Sequence, residues 1–262
     1  GKGPFIMKYL LIIGDGMADN PLKALQGQTP LERAEKPAID ALTEFAAHRG
    51  YPLAIRGITE PHRALLEAAY PGRFRFTEDR DCFDYVYSIE KLATFSGKKL
   101  HGKRNFCNRF EKEHSWEFKR LTPQLMPWCM GMLGEWHGDY GSTPDGLDDE
   151  HAAIVRGFMR WRELGLEGGA LFAEGKLVGF TVGEVTSSDT FDVHFEKAFA
   201  SIPGAYPMVC REFARQIMAD HPNIVYLNRE DDMGHENLRS AKLEYYPEFL
   251  LAKYTAREAA DV

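Results

Sequence analysis

The chain has 262 residues, 44% of them hydrophobic and 27% charged, with a formal net charge of −7. This is the composition of a globular protein with a substantial core, and it excludes wholesale nucleic-acid binding through net charge, though not a local basic patch. The cysteines Cys82, Cys107, Cys129 and Cys210 form no CxxC pair, which argues against a structural zinc site or a disulfide framework and for reduced thiols in a cytoplasm. No apolar run approaches the roughly 20 residues of a membrane span, and no signal-peptide pattern is present.

Residues 9–13 form a continuous apolar run, the pattern of a buried strand, followed by Gly14-Asp15-Gly16-Met17-Ala18-Asp19. Asp15 is either turn chemistry or a carboxylate presented to a metal at the C-terminal end of a strand. Thr29-Pro30 starts a helix, and residues 38–48 are helical. Residues 51–58 read as a strand, and residues 61–69 as a helix ended by Pro71-Gly72. The strand at 9–13 is expected to pair in the same sheet as residues 53–58. Residues 74–88 hold two aromatic-rich runs, the second a strand.

Ser88 caps the next helix. Residues 97–112 interleave Lys98, Lys99, Lys103, Arg104, Arg109 and Lys112 with aromatic residues. Such a stretch is either a solvated helix face or a phosphate-binding surface for a polyanionic donor such as coenzyme A or tRNA. Residues 116–121 read as a strand. Residues 123–140 read as a helix whose Met and Trp stripe is a core face, and residues 150–164 as a helix stopped by Gly165.

Residues 168–253 concentrate the polar chemistry. Two apolar runs joined at Glu174-Gly175-Lys176 form a hairpin, and residues 190–197 a third strand. A breaker-rich loop ending at Tyr206, a candidate for donor binding, leads into a helix over 208–219, a short strand over 224–227 and the charged box at 228–234. In regular alternation His194 and Glu196 share one face of the third strand. Either is a candidate base for acyl or aminoacyl transfer, or the two form a buried hydrogen-bonded pair. Arg229, Arg239 and Lys242, with Asn228, are candidates for holding phosphates or an acyl carboxylate. The alternative is a structural ion-pair network of Arg229 with residues 230–232.

The order hairpin, strand, loop, helix, strand resembles the central part of a Gcn5-related N-acetyltransferase-like fold. There the helix after the loop offers its positive end to an anion. The loop over 200–206 lacks the Gly, Arg and Gln of the usual acetyl-CoA loop.

Residues from about 50 to 255 more closely resemble the phosphatidylglycerol lysyltransferase C-terminal domain family. The motifs are YSIEKLATFSGKKLHGKRNFCNRF, VGFTVGE, VHFEKA, GAY, NREDDMG and LRSAKLEYYP. That resemblance implies an α/β (α+β) fold of tandem acetyltransferase-like units, the first incomplete here: residues 1–88 as a partial first unit and 89–262 as the acetyltransferase-like domain. It also implies transfer of an acyl or aminoacyl group from aminoacyl-tRNA or acyl-CoA to an amine, hydroxyl or lipid acceptor, with no firm cofactor. Separately, residues 8–46 (GDGMAD, then TPLE and KPAIDAL) resemble the amino terminus of archaeal-type cofactor-independent phosphoglycerate mutases, in which the Asp matching Asp15 is a metal ligand. Three functions follow: a transferase, a non-catalytic binding module of the same fold, or a metal-dependent phosphomutase.

Overall fold

The computed structural model describes residue 48 and residues 53–139 and 147–259. The apolar run at 9–13, its expected pairing with 53–58, the mutase-like segment and Asp15 lie outside the described residues. The chain divides into two compact units. One comprises the chain up to Asp84 with Asp231–Arg239 and Leu250–Val262, and the other comprises Tyr85–Glu230 with Ser240–Phe249.

In the first unit, β1 (Ala54–Ile58), α1 (Glu60–Ala69), β2 (Phe74–Glu78) and a single 3-10 turn (Arg80–Cys82) follow one another. Pro61 stands in the first turn of α1, where its missing N–H has no intrahelical partner to lose. The last strand of the chain, β10 (Tyr254–Glu258), lies between β1 and β2 and is antiparallel to both. Leu53, Ile55, Ile58, Leu66, Phe74 and Ala256 close the core of this unit.

The second unit is built on a seven-stranded mixed sheet in the order β4-β5-β6-β7-β8-β3-β9. Its strands are β3 (Asp84–Ser88), β4 (Trp116–Arg120), β5 (Glu167–Ala173), β6 (Lys176–Val185), β7 (Thr190–Ala198), β8 (Tyr226–Asn228) and β9 (Phe249–Leu251). Strands β4 to β7 are antiparallel, and β7 and β8 are parallel. The helices are α2 (Ile89–Thr94), α3 (His101–Glu113), α4 (Met126–Asp139), α5 (Leu147–Met159), α6 (Ala205–Asp220) and α7 (Glu236–Leu243). The Ser88 side chain accepts the Lys91 N–H and starts α2.

Two helix layers cover the sheet. On one side α4, α5 and the turn after α5 pack Cys129, Met132, Phe158 and Trp161 against Phe172, Phe180 and Val182. Each large side chain so buried contributes roughly 1.5–3 kcal/mol. The Met and Trp stripe is therefore core, apart from Trp128, which is 56% exposed. The buried Lys197 is satisfied on this side by Glu150 at 2.8 Å and by the Trp136 ring at 4.3 Å. On the other side α6 buries Met208, Val209, Phe213 and Ile217.

Among the boundaries that differ from the sequence expectation, two have a local cause in the backbone hydrogen bonds. The expected helix over 150–164 ends at Met159 because the following residues tighten into a turn, with Leu166 N–H bonding back to the Trp161 carbonyl. The expected strand over 224–227 is Tyr226–Asn228, because Ile224 N–H bonds back to His221 while Val225 and Tyr226 both donate to the Asp189 carbonyl.

Candidate functional site

The strongest departure from a regular strand lies on β7. Val182 pairs with Phe195 and Gly183 pairs with Val193, so His194 is the extra residue of a β-bulge. A Cβ on Gly183 would stand 1.9 Å from the Asp192 carbonyl oxygen, so only glycine fits opposite the bulge. The bulge breaks the alternation that would set His194 and Glu196 on one face, and the two side chains enter separate networks.

The His194 ring is clamped by two carboxylates: Nδ1 lies 2.8 Å from Glu230 Oε1 and Nε2 lies 3.0 Å from Glu184 Oε1. Burial lowers the imidazole pKa. The hydrogen bond and charge of Glu230, with Asp192 and Glu184, outweigh that and raise it to about 9. At neutral pH the ring thus donates to both carboxylates. Asn228 braces the group, donating to Asp192 Oδ2 at 3.4 Å and accepting the Glu230 N–H at 2.9 Å.

Glu196 instead faces Arg229, whose Nη2 donates to Oε1 at 2.7 Å; their side chains are 10% and 13% exposed. The guanidinium lies against Tyr245 at 4.7 Å and Tyr87 at 5.5 Å. Burial pulls the Arg229 pKa down, but the charge of Glu196 outweighs it and the group stays cationic. Lys242 Nζ donates to the carbonyls of Arg229 (2.5 Å) and Glu230 (3.1 Å), so it fastens the backbone that leaves β8. Tyr87 Oη donates to the Lys242 carbonyl at 2.9 Å.

Arg239 belongs to a different network, in the first unit. Its Nε and Nη2 each donate to the fully buried Asp232 at 2.9 Å, and Nη2 also reaches Asp81 at 2.7 Å. This is a bidentate pair of the strong kind. The charged box thus divides: Arg229 and Lys242 serve the sheet around β8, and Arg239 and Asp232 serve the other unit. The three-residue spacing of Arg239 and Lys242 does not give them a common partner.

The basic residues of α3 and of the turn before it, which holds Lys98 and Lys99, fall into two groups. Arg104 donates to the Phe95 carbonyl at 2.6 Å, and Lys103 bonds Glu244 at 2.7 Å with its ammonium 4.3 Å from the Tyr245 ring. Lys98, Lys99 and Arg109 are exposed. Lys99 lies 5.3 Å from the Tyr246 ring, and Arg109 pairs with Glu113 one helical turn on.

Helix α3 also covers the start of α6. Gly204 has φ +92°, and a Cβ there would stand 2.7 Å from the Phe106 carbonyl oxygen. Gly204, Ala205 and Pro207 are buried, Tyr206 is half-buried, and the Ala205 N–H is taken by the Ile202 carbonyl at 3.1 Å.

Glu184, Asp192, Tyr87 and Tyr245 complete these networks and were not among the residues picked out from the sequence. Glu184 had a readable signal, as a carboxylate near the end of a largely apolar strand, whereas Asp192 sits at a polar position of an alternating strand and had none. Their convergence depends on the bulge.

A mixed sheet with helices on both faces, and a strand–loop–helix at its centre, defines a Gcn5-related N-acetyltransferase-like α/β fold. Within that class the chain belongs to the phosphatidylglycerol lysyltransferase C-terminal family, whose model matches residues 26–257. A conserved protein of unknown function from Bacteroides thetaiotaomicron is 39% identical, with a TM-score of 0.78 over 89% of this chain and 77% of that one. The L-PGS of Bacillus licheniformis shares the fold at 17% identity, with a TM-score of 0.58 over 86% and 73% of the two chains. An uncharacterized protein of Mycoplasmoides gallisepticum is 24% identical over 178 residues, 66% of this chain; the chain spans 56% of that protein's length. Matches to 2,3-bisphosphoglycerate-independent phosphoglycerate mutases are short. That of Methanothrix thermoacetophila is 56% identical over 39 residues, 15% of this chain and 10% of that protein.

Proposed function

We propose that this chain is a transferase that moves an aminoacyl group from aminoacyl-tRNA to an amine, hydroxyl or lipid acceptor, with His194 and Glu196 nearest the chemistry. Family membership supports the transferase class. The choice of donor rests on one observation, the seat of the Phe106 carbonyl against Gly204. An acyl-CoA pyrophosphate held in the usual way of this fold needs open backbone N–H groups at the start of the helix after the loop. Here that helix end is buried beneath α3, and a carbonyl oxygen, itself electronegative, faces it. An acyl-CoA donor has no seat there, whereas the exposed Lys98, Lys99 and Arg109 suit a polyanionic RNA backbone.

A second function, a binding module that holds the donor without turnover, is favoured by a different observation. Both His194 nitrogens are engaged by carboxylates, and Glu196 is ion-paired with Arg229.

The test is a transfer assay with tRNA charged with radiolabelled amino acids, using anionic phospholipid vesicles and small amines as acceptors. Label appearing in an acceptor, and lost in a Glu196→Gln protein that circular dichroism shows to be folded, supports the transferase. Binding of charged tRNA with no transfer to any acceptor supports the binding module. Acceptor labelling from acyl-CoA alone overturns the choice of donor.

A further inference from the structure

The bulge that displaces His194 from the ladder also gathers more negative charge than one imidazole balances. Asp192, Glu184 and Glu230 converge on a single ring. The donor atoms offered by Asp192, His194 and Glu230 all lie within 4.8 Å of one another. A divalent transition ion sits about 2.0–2.2 Å from nitrogen and carboxylate ligands, so donors on one ion lie within roughly 4.4 Å of each other. The set closes on such an ion with small carboxylate rotations.

The surroundings are those of a braced site. Glu184 holds Nε2 of the ring, the role of the carboxylate that orients a metal-bound histidine, and this leaves Nδ1 for an ion. Asn228 holds one oxygen of Asp192, Oδ2, while the other, Oδ1, is buried and receives no hydrogen bond. Asn228 also fixes the backbone of Glu230, whose φ of +55° turns the chain sharply at the site. The His194 side chain is 20% exposed and that of Glu230 42%, so the group is open enough for an ion to enter.

We infer that Asp192, His194 and Glu230 form a binding site for a divalent transition-metal ion of the zinc class, with Glu184 as the carboxylate that orients His194. One imidazole nitrogen with two carboxylates and room for water is a donor set that zinc accepts and that cobalt(II) reports spectroscopically. Binding places the ion on Nδ1 and releases the proton held between Nδ1 and Glu230 to solvent. The site stands whether or not the chain transfers an acyl group, and it is separate from Asp15.

The experiment is calorimetric titration of Zn²⁺ into chelator-stripped protein, with the visible spectrum of the Co²⁺ form as a second readout. The site predicts one equivalent bound with micromolar or tighter affinity, lost in His194→Gln and in Asp192→Asn, and weakened about 10- to 100-fold in Glu184→Gln. The Co²⁺ d–d bands should show nitrogen and oxygen ligation and no thiolate charge transfer. Circular dichroism establishes that each variant is folded, and with two independent ligand variants the test survives the misfolding of one. Zinc bound equally well by wild type and by a folded ligand variant overturns the inference. So do a thiolate band, or no binding at 100 µM metal, a concentration about 100 times a micromolar Kd.

Discussion

Arg229 and Glu196 show what a single residue does in this molecule. Each is a candidate for chemistry by residue type, and the two are ion-paired and nearly buried, with the Arg229 guanidinium lying against Tyr87 and Tyr245. Glu196→Gln leaves a buried guanidinium without its counter-charge and is expected to cost about 3–5 kcal/mol in urea denaturation. The double variant Glu196→Leu with Arg229→Met, which removes both charges, should recover much of that loss. If the single and double variants are equally destabilised, the pair is not the unit described. The cysteines give a second residue-scale prediction. Burial pushes the thiols of Cys107, Cys129 and Cys210 up to about 12; burial and Asp79 also raise the Cys82 thiol, but Cys82 alone of the four is partly exposed. One thiol per chain should react with a disulfide reagent in the native protein and four after denaturation. More than one fast thiol would mean that the core around α3, α4 and α6 is open. The identity of the polar residues was legible in the sequence because Lys, Arg, Glu and His stand out against apolar strands. Their partners were not, because Glu184 and Glu230 lie 10 and 36 positions from His194 and Glu196 lies 33 from Arg229, and only the fold supplies that proximity.

At the scale of elements, the hairpin of β5 and β6, strand β7, helix α6 and the Ser88 cap all follow from local signals. Turn residues, period-2 apolar runs and a capping hydroxyl act over a few residues and so are visible in sequence. The bulge is not of this kind. Phe191, Val193 and Phe195 alternate with polar residues as in any regular strand, and the extra residue exists only relative to the register of β6. Gly183 was the local trace of it, although Gly179 earlier in the same strand carries the same signal without a bulge in its pairing with β7. The approach of α3 to α6 is likewise marked only by Gly204. Gly204→Ala forces a Cβ against the Phe106 carbonyl at a φ of +92° and should cost about 1–3 kcal/mol through backbone strain. The expected accompaniment is faster amide hydrogen exchange in α3 and the first turn of α6. A Gly204→Ala protein as stable as wild type would show that α3 does not press on that helix end, and the case against acyl-CoA would lose its basis.

At the scale of the whole chain, sequence-distant segments complete each unit. Strand β10 is the central strand of the three-stranded sheet although it lies more than 170 residues after β2. Removing residues 254–262 should therefore expose the backbone edges of both β1 and β2 and make residues 53–78 sensitive to protease, while β5 to β7 keep their protection. Uniform digestion of both units would contradict this division. Among the described residues no helix is long and apolar enough to cross a membrane. Family membership was legible at this scale, because six motifs recur in one order over most of the chain. The proposed donor was not, because the reason for preferring it is how α3 seats against α6.

We propose a charged tRNA, held electrostatically, as the donor in place of a coenzyme A thioester. The most direct measurement is filter binding of aminoacyl-tRNA across a salt series, for the wild type and for the triple variant Lys98→Ala, Lys99→Ala, Arg109→Ala, beside acyl-CoA titrated by calorimetry. The expected result is tRNA binding that weakens steeply with salt, with the magnitude of the log–log slope reduced by about 2–3 in the triple variant, as the loss of three phosphate contacts requires. Acyl-CoA should give no heat. Saturable acyl-CoA binding, or tRNA binding whose salt slope is the same in the triple variant, would contradict the account.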